Sequence, residues 1–238
     1  MTRDKGPVAL VTGAGRGIGS QLAQTLADAG FAIGLVGRTR AALDAVAAEL
    51  DGPTHVVTAD VTQPGDVEQA VAAVTAELGP IDVLVNNAGL REQQSTLPWE
   101  ADAGDWWHVM EVNVRGVVLM TSAMLPGMIE RGRGWVIDVG SGAGQRAEPR
   151  YSAYSVSKSA ALRWMDNVAS GLGDDSPVRV VSASPGLVRT DMTETMWGSA
   201  DDVDFGSLDP MKRFVRRFAA GELDHLHGAF IQVAKEGY

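Results

Sequence analysis

Near the start of the chain an apolar run at residues 8–11 leads directly into Thr12-Gly13-Ala14-Gly15-Arg16-Gly17-Ile18-Gly19, after which Ile18, Leu22 and Leu26 recur at helical spacing. A strand, a glycine turn and a helix in that order constrain the fold more than any other feature. The glycines let the backbone take positive φ and come close to a ligand, and the helix that follows points unpaired N–H groups at an anion. A dinucleotide pyrophosphate is the usual occupant of such a turn. The spacing is not that of the common G-x-G-x-x-G fingerprint, because Ile18 stands where its last glycine would fall. Alone, the stretch could also be an ordinary tight strand-to-helix turn, so the rest of the chain has to decide.

Further buried strands are predicted at 31–36, 55–59, 81–85, 135–139, 178–183 and 228–233, with amphipathic helical patterns between them. Gly30 reads as the residue that ends the first helix. This alternation implies right-handed crossovers, hence a parallel sheet with helices on both faces, and ligands of such sheets bind at the carboxyl ends of the strands. The second strand arrives at Gly37-Arg38. An acid there would accept from a free ribose 2′-hydroxyl, whereas an arginine tolerates a 2′-phosphate. Here the acid is absent and Arg38 follows, so NADP(H) is expected over NAD(H), with Arg16 as a second positive charge; a plain surface role for Arg38 is the alternative.

The fourth strand ends in Asn86-Asn87-Ala88-Gly89, which taken alone is simple turn chemistry. The helical pattern from 105 to 131 is interrupted by Asn113, Gly116 and Pro126. Asn113 there marks either a kink that frees a backbone carbonyl or a tolerated polar residue. The adjacent Trp106 and Trp107 must point in different directions, one of them towards the core or a subunit contact. After the fifth strand comes Ser141, and thirteen positions later Tyr154-Ser155-Val156-Ser157-Lys158. Tyrosine and lysine four apart share one helix face, so phenol and ammonium address the same small volume. A cation in a partly dry pocket favours the phenolate, which makes Tyr154 a candidate proton-transfer group with Ser141 holding the oxygen it serves. Alone, an exposed helix with a routine Tyr–Lys pair would explain the same residues.

The stretch from 190 to 208 carries Met192, Met196, Trp197 and Phe205 among acids and glycines and reads as a long mobile loop. Lys212, Arg213, Arg216 and Arg217 read as the solvated face of a short helix. A single domain over 1–238 is expected, with a substrate lid around 190–220. At 45% hydrophobic residues the composition is that of a globular protein, and no apolar run reaches the roughly 18 residues of a membrane helix, so a cytoplasmic location and no membrane partner are expected. A net charge of −10 argues against nucleic acid as a partner. There is no cysteine, and the four histidines are scattered, the closest pair being His225 and His227, read as solvated loop residues; no metal site is expected.

Together these residues resemble the short-chain dehydrogenase/reductase family, strongly from Val8 to Thr190: the 12–19 turn, Asp60, the 86–89 segment, Asn113, Ser141, Tyr154 with Lys158, and Pro185-Gly186 with Thr190 stand in family order and spacing. The resemblance implies an α/β fold, a single doubly wound Rossmann-type domain with a seven-stranded parallel sheet, and an oxidoreductase interconverting a carbonyl and a secondary alcohol. By it, Tyr154 is the general acid/base and Ser141 orients the substrate oxygen. Lys158 holds the nicotinamide ribose and tunes Tyr154, and Asn113 holds a water of the proton relay. Gly13, Gly15, Arg16, Gly17, Ile18, Gly19, Arg38, Asp60, Val61, Asn87, Ala88, Gly89, Pro185, Gly186, Val188 and Thr190 line the cofactor, Asp60 at the adenine and Thr190 at the nicotinamide amide. It also implies a homodimer or homotetramer built on the helices near 105–131 and 152–171. Two other readings are a cofactor-binding regulator, whose mark would be a broken Ser141–Tyr154–Lys158 set, and the sugar-nucleotide epimerases and dehydratases, which need a larger second domain. The tail after 228 departs from the family's glycine-rich ending.

Overall fold

Each apolar run forms a strand, and all seven join one parallel sheet in the order β3-β2-β1-β4-β5-β6-β7. The strands are β1 (Val8–Thr12), β2 (Ala32–Gly37), β3 (Thr54–Thr58), β4 (Ile81–Asn86), β5 (Gly134–Val139), β6 (Val178–Ser184) and β7 (Phe230–Gln232). The structure is a computed structural model that describes residues 6–197 and 203–238. Strands buried on both faces need no alternation of polar and apolar residues, which is why β1 is buried along its whole length. Helices α1 (Gly17–Asp28), α2 (Arg40–Glu49) and α3 (Pro64–Leu78) follow the first three strands. The first of them ends as its sequence implies: Gly30 has φ of 89°, and Phe31 N donates to the carbonyl of Leu26 (3.0 Å).

The helix expected over 105–131 runs as α4 (Ala103–Met110), a π turn (Glu111–Arg115) and α5 (Gly116–Arg131). At Asn113 the helix carries a π turn, and turns of this kind recur at functional sites. Gly116 lets the helix close on the loop after β3; a Cβ there would lie 2.7 Å from Val61 Cγ2. Pro126 sits inside α5 without ending it. Then come α6 (Ser152–Leu172), α7 (Asp191–Trp197), α8 (Asp209–Ala219) and the short α9 (Val233–Glu236).

Three features depart from the sequence reading. The stretch from 190 to 208 is not loop throughout, since it opens with α7; the Trp197 side chain and residues 198–202 lie outside the described residues. The lid drawn to 220 also extends too far. Met211, Phe214, Val215 and Phe218 recur at i, i+3, i+4, i+7 and are fully buried in the core beside Leu22 and Leu26 of α1, so that face of α8 is core while its cations lie on the opposite, wetter face. His227 is likewise more than a loop residue: its Nδ1 accepts from the Val180 N–H of β6 (3.2 Å). Among the described residues no cluster of metal-ligating side chains occurs.

Candidate active site

The order of connection reverses between β1 and β4, and the crevice that this leaves at their carboxyl ends is where open α/β sheets bind ligands. Thr12 joins the two strand ends. Its hydroxyl donates to the Val85 carbonyl (3.3 Å) and accepts from the N–H groups of Asn87 (3.0 Å) and Ala88 (3.1 Å). Asn87 Nδ2 returns two bonds, to the carbonyls of Thr12 (2.9 Å) and Gly13 (3.2 Å). The glycine turn is thereby held against Asn87 so tightly that a Cβ on Gly19 would lie 2.3 Å from the Gly13 oxygen. Gly13 and Gly17 both have φ near +60°. At the start of α1 no side chain caps the helix and its first turn holds no acid, so its orphan N–H groups stay available to an anion.

Beyond the turn, Arg38 is exposed at the end of β2, next to Gly37. Asp60 accepts from Thr62 N (2.9 Å). Partial burial works against its ionised form, but the Thr62 bonds and the nearby Arg38 and His108 outweigh this and hold its carboxyl below the usual range. Val61 is buried among the core residues, packed against Gly116. Arg16 forms an ion pair with Asp191 at the head of α7 (3.2 Å), both side chains about 80% exposed (80% and 79%). Pro185 is buried; past it Gly186 turns with φ of 83°, and Val188 bridges to Gly206. Thr190 caps α7: its hydroxyl accepts from Thr193 N (3.2 Å), and Thr193 Oγ1 donates to the Val188 carbonyl (2.7 Å).

The reactive side chains converge at the ends of β4 and β5. Lys158, 8% exposed, donates from Nζ to the Val139 carbonyl (2.8 Å) and lies 6.0 Å from the centroid of the Tyr154 ring. From the position of a Cβ on Gly89, Asn113 Oδ1 is 3.4 Å away and Lys158 Nζ 3.9 Å, so both groups face the strip that glycine leaves open. Asn113 is fully buried, and its side chain is spent on the protein: Nδ2 donates to the Leu90 carbonyl (2.7 Å) and Ser157 Oγ (2.9 Å), while Oδ1 accepts from Leu90 N (2.7 Å). A water held by the Asn113 side chain would therefore have to use the second lone pair of Oδ1, on the side of the open strip. Ser141 Oγ accepts from Ala143 N (3.2 Å), which leaves its own proton to donate. Ser155 and Ser159 of α6 donate to the carbonyls of Ala143, Arg146 and Gly144, so the segment after Ser141 is stitched to the helix that carries Tyr154.

Two residues of this site escaped the sequence reading. The Glu92 carboxylate, 4% exposed, reaches under the start of α6 and accepts from Ala153 N (2.5 Å) and Tyr154 N (3.2 Å). Tyr151, at the helix's N-cap, supplies no side-chain cap, so Glu92 caps the helix from a distant loop. Its partners lie 61 and 62 residues away, and no local spacing announces them. Asp138 stands one residue before Val139 and is fully buried. Burial pushes its carboxyl up, only partly offset by Lys158 and by Ser182, whose hydroxyl donates to Oδ2 (3.2 Å); Oδ1 has no partner.

The cleft fits a nicotinamide dinucleotide: an uncapped helix N-terminus behind a glycine turn, an open strip at Gly89, and a buried ammonium beside a phenol. Such a cofactor supplies or takes up a hydride, and the remaining chemistry falls to the chain. With such a cofactor in place, Tyr154 Oη would be the group to exchange a proton with a substrate oxygen, the Ser141 hydroxyl has its proton free to donate to that oxygen, and Lys158 Nζ lies 6.0 Å from the Tyr154 ring centroid, where its charge would act on the phenol.

Comparisons with known proteins identify the family. The family model described as short chain dehydrogenase matches residues 7–200. A 3-oxoacyl-acyl-carrier-protein reductase of Synechocystis sp. is 36% identical over 232 residues, covering 96% of this chain and 89% of its own length. An uncharacterized oxidoreductase of Staphylococcus saprophyticus is 34% identical over 205 residues, 83% of this chain and 85% of its own. The crystal structure of levodione reductase matches with a TM-score of 0.88 at 25% identity, over 98% of both chains. With the sheet order, the Tyr154–Lys158 pair and these similarities in hand, the chain belongs to the short-chain dehydrogenase/reductase family and is an oxidoreductase of carbonyl and alcohol groups.

Proposed function

We propose that the protein is an NADP(H)-dependent reductase that converts the ketone or aldehyde of a small, moderately hydrophobic molecule to an alcohol, in the cytoplasm and as a homodimer or homotetramer. The observation that carries the reading is the buried Lys158 ammonium, anchored on Val139 and set beside the Tyr154 ring, with the segment after Ser141 stitched to the same helix. An intact set of this kind is what a non-catalytic regulator would lack. Gly37 and the exposed Arg38 support the phosphorylated cofactor, since a guanidinium can grip a 2′-phosphate in two places. Arg16 can join it, because an exposed ion pair such as that with Asp191 is worth only about 0–1 kcal/mol. Exposed Leu187 and half-buried Met192 and Met196 supply apolar surface for the substrate, and residues 190–208 remain the candidate lid.

Support for assembly comes from the stretch Ala103–Arg131. It is 29 residues long and holds an 18-residue window of mean hydropathy 1.4, apolar enough by length and composition to cross a membrane, yet its inner side is built into the core. Its outer side leaves Trp107 61% exposed, and Ile129 and the α6 residue Val156 are exposed too, a face suited to a second copy of the chain. A carrier-bound 3-oxoacyl substrate is a second reading, favoured by the similarity to the Synechocystis reductase over nearly the whole chain. The test is Tyr154→Phe with NADPH and a panel of carbonyl compounds. Turnover should fall about 10²-fold or more while the cofactor dissociation constant stays within a factor of three. Unchanged turnover would refute the role of Tyr154.

A further inference from the structure

One buried acid has no part in the chemistry above. Along β5, Ile137 and Val139 pack into the core on the side of α1 and α8. The alternation of the strand turns Asp138, 1% exposed, to the opposite face, where Met165 and Ala169 of α6 share a cluster with Val136. In register with it stand Asn86 of β4 and Ser182 of β6. Ser182 donates to Oδ2 (3.2 Å), whereas Asn86 turns its amide to Thr121 Oγ1 (3.0 Å), so that Oδ1 is left without a partner and shut off from water. Such an acceptor calls for a donor or a positive charge.

Lys158 supplies the charge. Its Nζ donates to the carbonyl of Val139, the residue next to Asp138, and among the described residues it makes no other hydrogen bond, which leaves further N–H groups unspent. Its charge also opposes the upward push of burial on the Asp138 carboxyl. The other groups around the ammonium do not take this place. On α6 itself Tyr154 is the titratable neighbour, and Glu92, at the head of that helix, is bound to the N–H groups of Ala153 and Tyr154. Asn113 of the π turn and Asn86 of β4 are neutral. Glu111 of the π turn pairs with Arg115 at the surface (2.9 Å), and past β5 Arg146 pairs with Glu148 (2.6 Å). A buried ammonium and a buried carboxyl, each costly alone, relieve one another when both are charged. We propose that Asp138 is a positioning residue of the reaction: its carboxylate is the buried countercharge of Lys158 and keeps that side chain an ammonium as the pH rises. This rests on the reading of Tyr154 as the proton-exchanging group that Lys158 serves. Below the pH at which Asp138 releases its proton the carboxyl is neutral, and above it the pair is complete. The countercharge therefore acts on the alkaline side, where release of a proton favours alcohol oxidation.

The experiment follows both ionisations by NMR in the full chain, with lysine Cε and aspartate Cγ labelled, from about pH 6 to about pH 10.5. Beside it, kcat for alcohol oxidation with NADP is measured over the same range. The lysines are Lys5, Lys158, Lys212 and Lys235, so Lys158→Met identifies the Lys158 signal by its loss. In Asp138→Asn the titration midpoint of Lys158 should fall by about one pH unit or more, the worth of a unit charge several ångströms away at an effective dielectric constant of about 20. In Lys158→Met the midpoint of Asp138 should rise by a like amount, because the coupling is reciprocal, and this second variant carries the test if Asp138→Asn does not fold. On the alkaline side kcat should begin to fall about one pH unit earlier in Asp138→Asn, while below neutral pH the two proteins agree within a factor of about three. Lys158 midpoints that coincide in wild type and Asp138→Asn, or an Asp138 midpoint unmoved by Lys158→Met, overturn the pairing. A kcat lowered by one factor at every pH overturns it in favour of a structural role. If Tyr154→Phe stays active, the acid/base reading falls and the positioning role with it, an outcome the midpoints distinguish because they report on the charge pair either way.

Discussion

Glu92→Ala tests whether the catalytic helix depends on a carboxylate from a distant loop. The substitution removes both acceptors at the head of α6, from Ala153 N at 2.5 Å and Tyr154 N at 3.2 Å, in a place almost closed to water. Hydrogen bonds to a charged group contribute about 1.5–3 kcal/mol each, and the longer bond here falls below that range. Loss of an ordinary N-cap costs about 0.5–2 kcal/mol, and an anion at a partly buried helix N-terminus adds up to about 2 kcal/mol. Water entering the space left by the side chain recovers part of this, so a net loss of about 2–3 kcal/mol is expected. For a chain of this length such a loss lowers Tm by roughly 5–10 °C. Glu92→Gln keeps one carbonyl acceptor but turns an amine on the second N–H, and should fall about halfway. Because one of the two bonds is to Tyr154 itself, kcat measured well below Tm should drop about tenfold or more in Glu92→Ala through misplacement of the phenol. The assay is calorimetric melting at a fixed protein concentration together with steady-state kinetics, with the exposed Glu68→Ala as control. A Glu92→Ala protein that melts within 1 °C of the wild type would show that the cap carries no weight.

Asp138→Asn should flatten the dependence of stability on pH. Burial raises this carboxyl above 3.8, so the native state keeps a proton that the unfolded chain releases, and stability is lost as pH rises from about 3.8 towards the raised native value. Asparagine cannot ionise and still accepts from Ser182; urea midpoints that fall equally with pH in both proteins would count against the argument. Gly37→Asp combined with Arg38→Leu should move the NADPH-to-NADH ratio of kcat/KM by about a hundredfold or more towards NADH, since a carboxylate repels the 2′-phosphate that the guanidinium attracts. The nearest atoms a Cβ at 37 meets belong to the Leu43 side chain, Cδ2 at 3.3 Å, so the change needs only a shift of a few tenths of an ångström by that leucine. Equal efficiency with both cofactors in the wild type would assign Arg38 a milder role such as stacking on adenine.

The sheet was legible because burial on both faces writes itself into the sequence as short apolar runs, and glycines at sharp φ mark the turn after β1. Tyr154, Lys158 and Ser141 were legible for a similar reason: helical spacing brings the first two together, and a strand end delivers the third to the same edge. Asn113 was legible as an anomaly but not as a geometry, since a polar residue in an apolar helix says that something differs without saying that the ladder inserts a π turn there. In α8 the four cations drew the reading towards the solvent face, although Met211, Phe214, Val215 and Phe218 carried a full core stripe between them. The misplaced lid boundary came from weighing the charges over the period.

Glu92 and Arg16 mark where the sequence stops informing. Each is a charged residue beside a motif, and each takes its partner from far along the chain: Glu92 from the head of α6, Arg16 from Asp191, 175 residues on. Burial separates their consequences. The Glu92 carboxylate is shut away from water with two N–H groups that nothing else caps, so its position is fixed. Arg16 and Asp191 meet in solvent, where the contact is weak and screened, and a dianionic phosphate in the cleft would compete with Asp191 for the guanidinium. The role read for Arg16 from its place in the glycine turn and the pair it makes with α7 are thus compatible, one giving way to the other as the cleft fills.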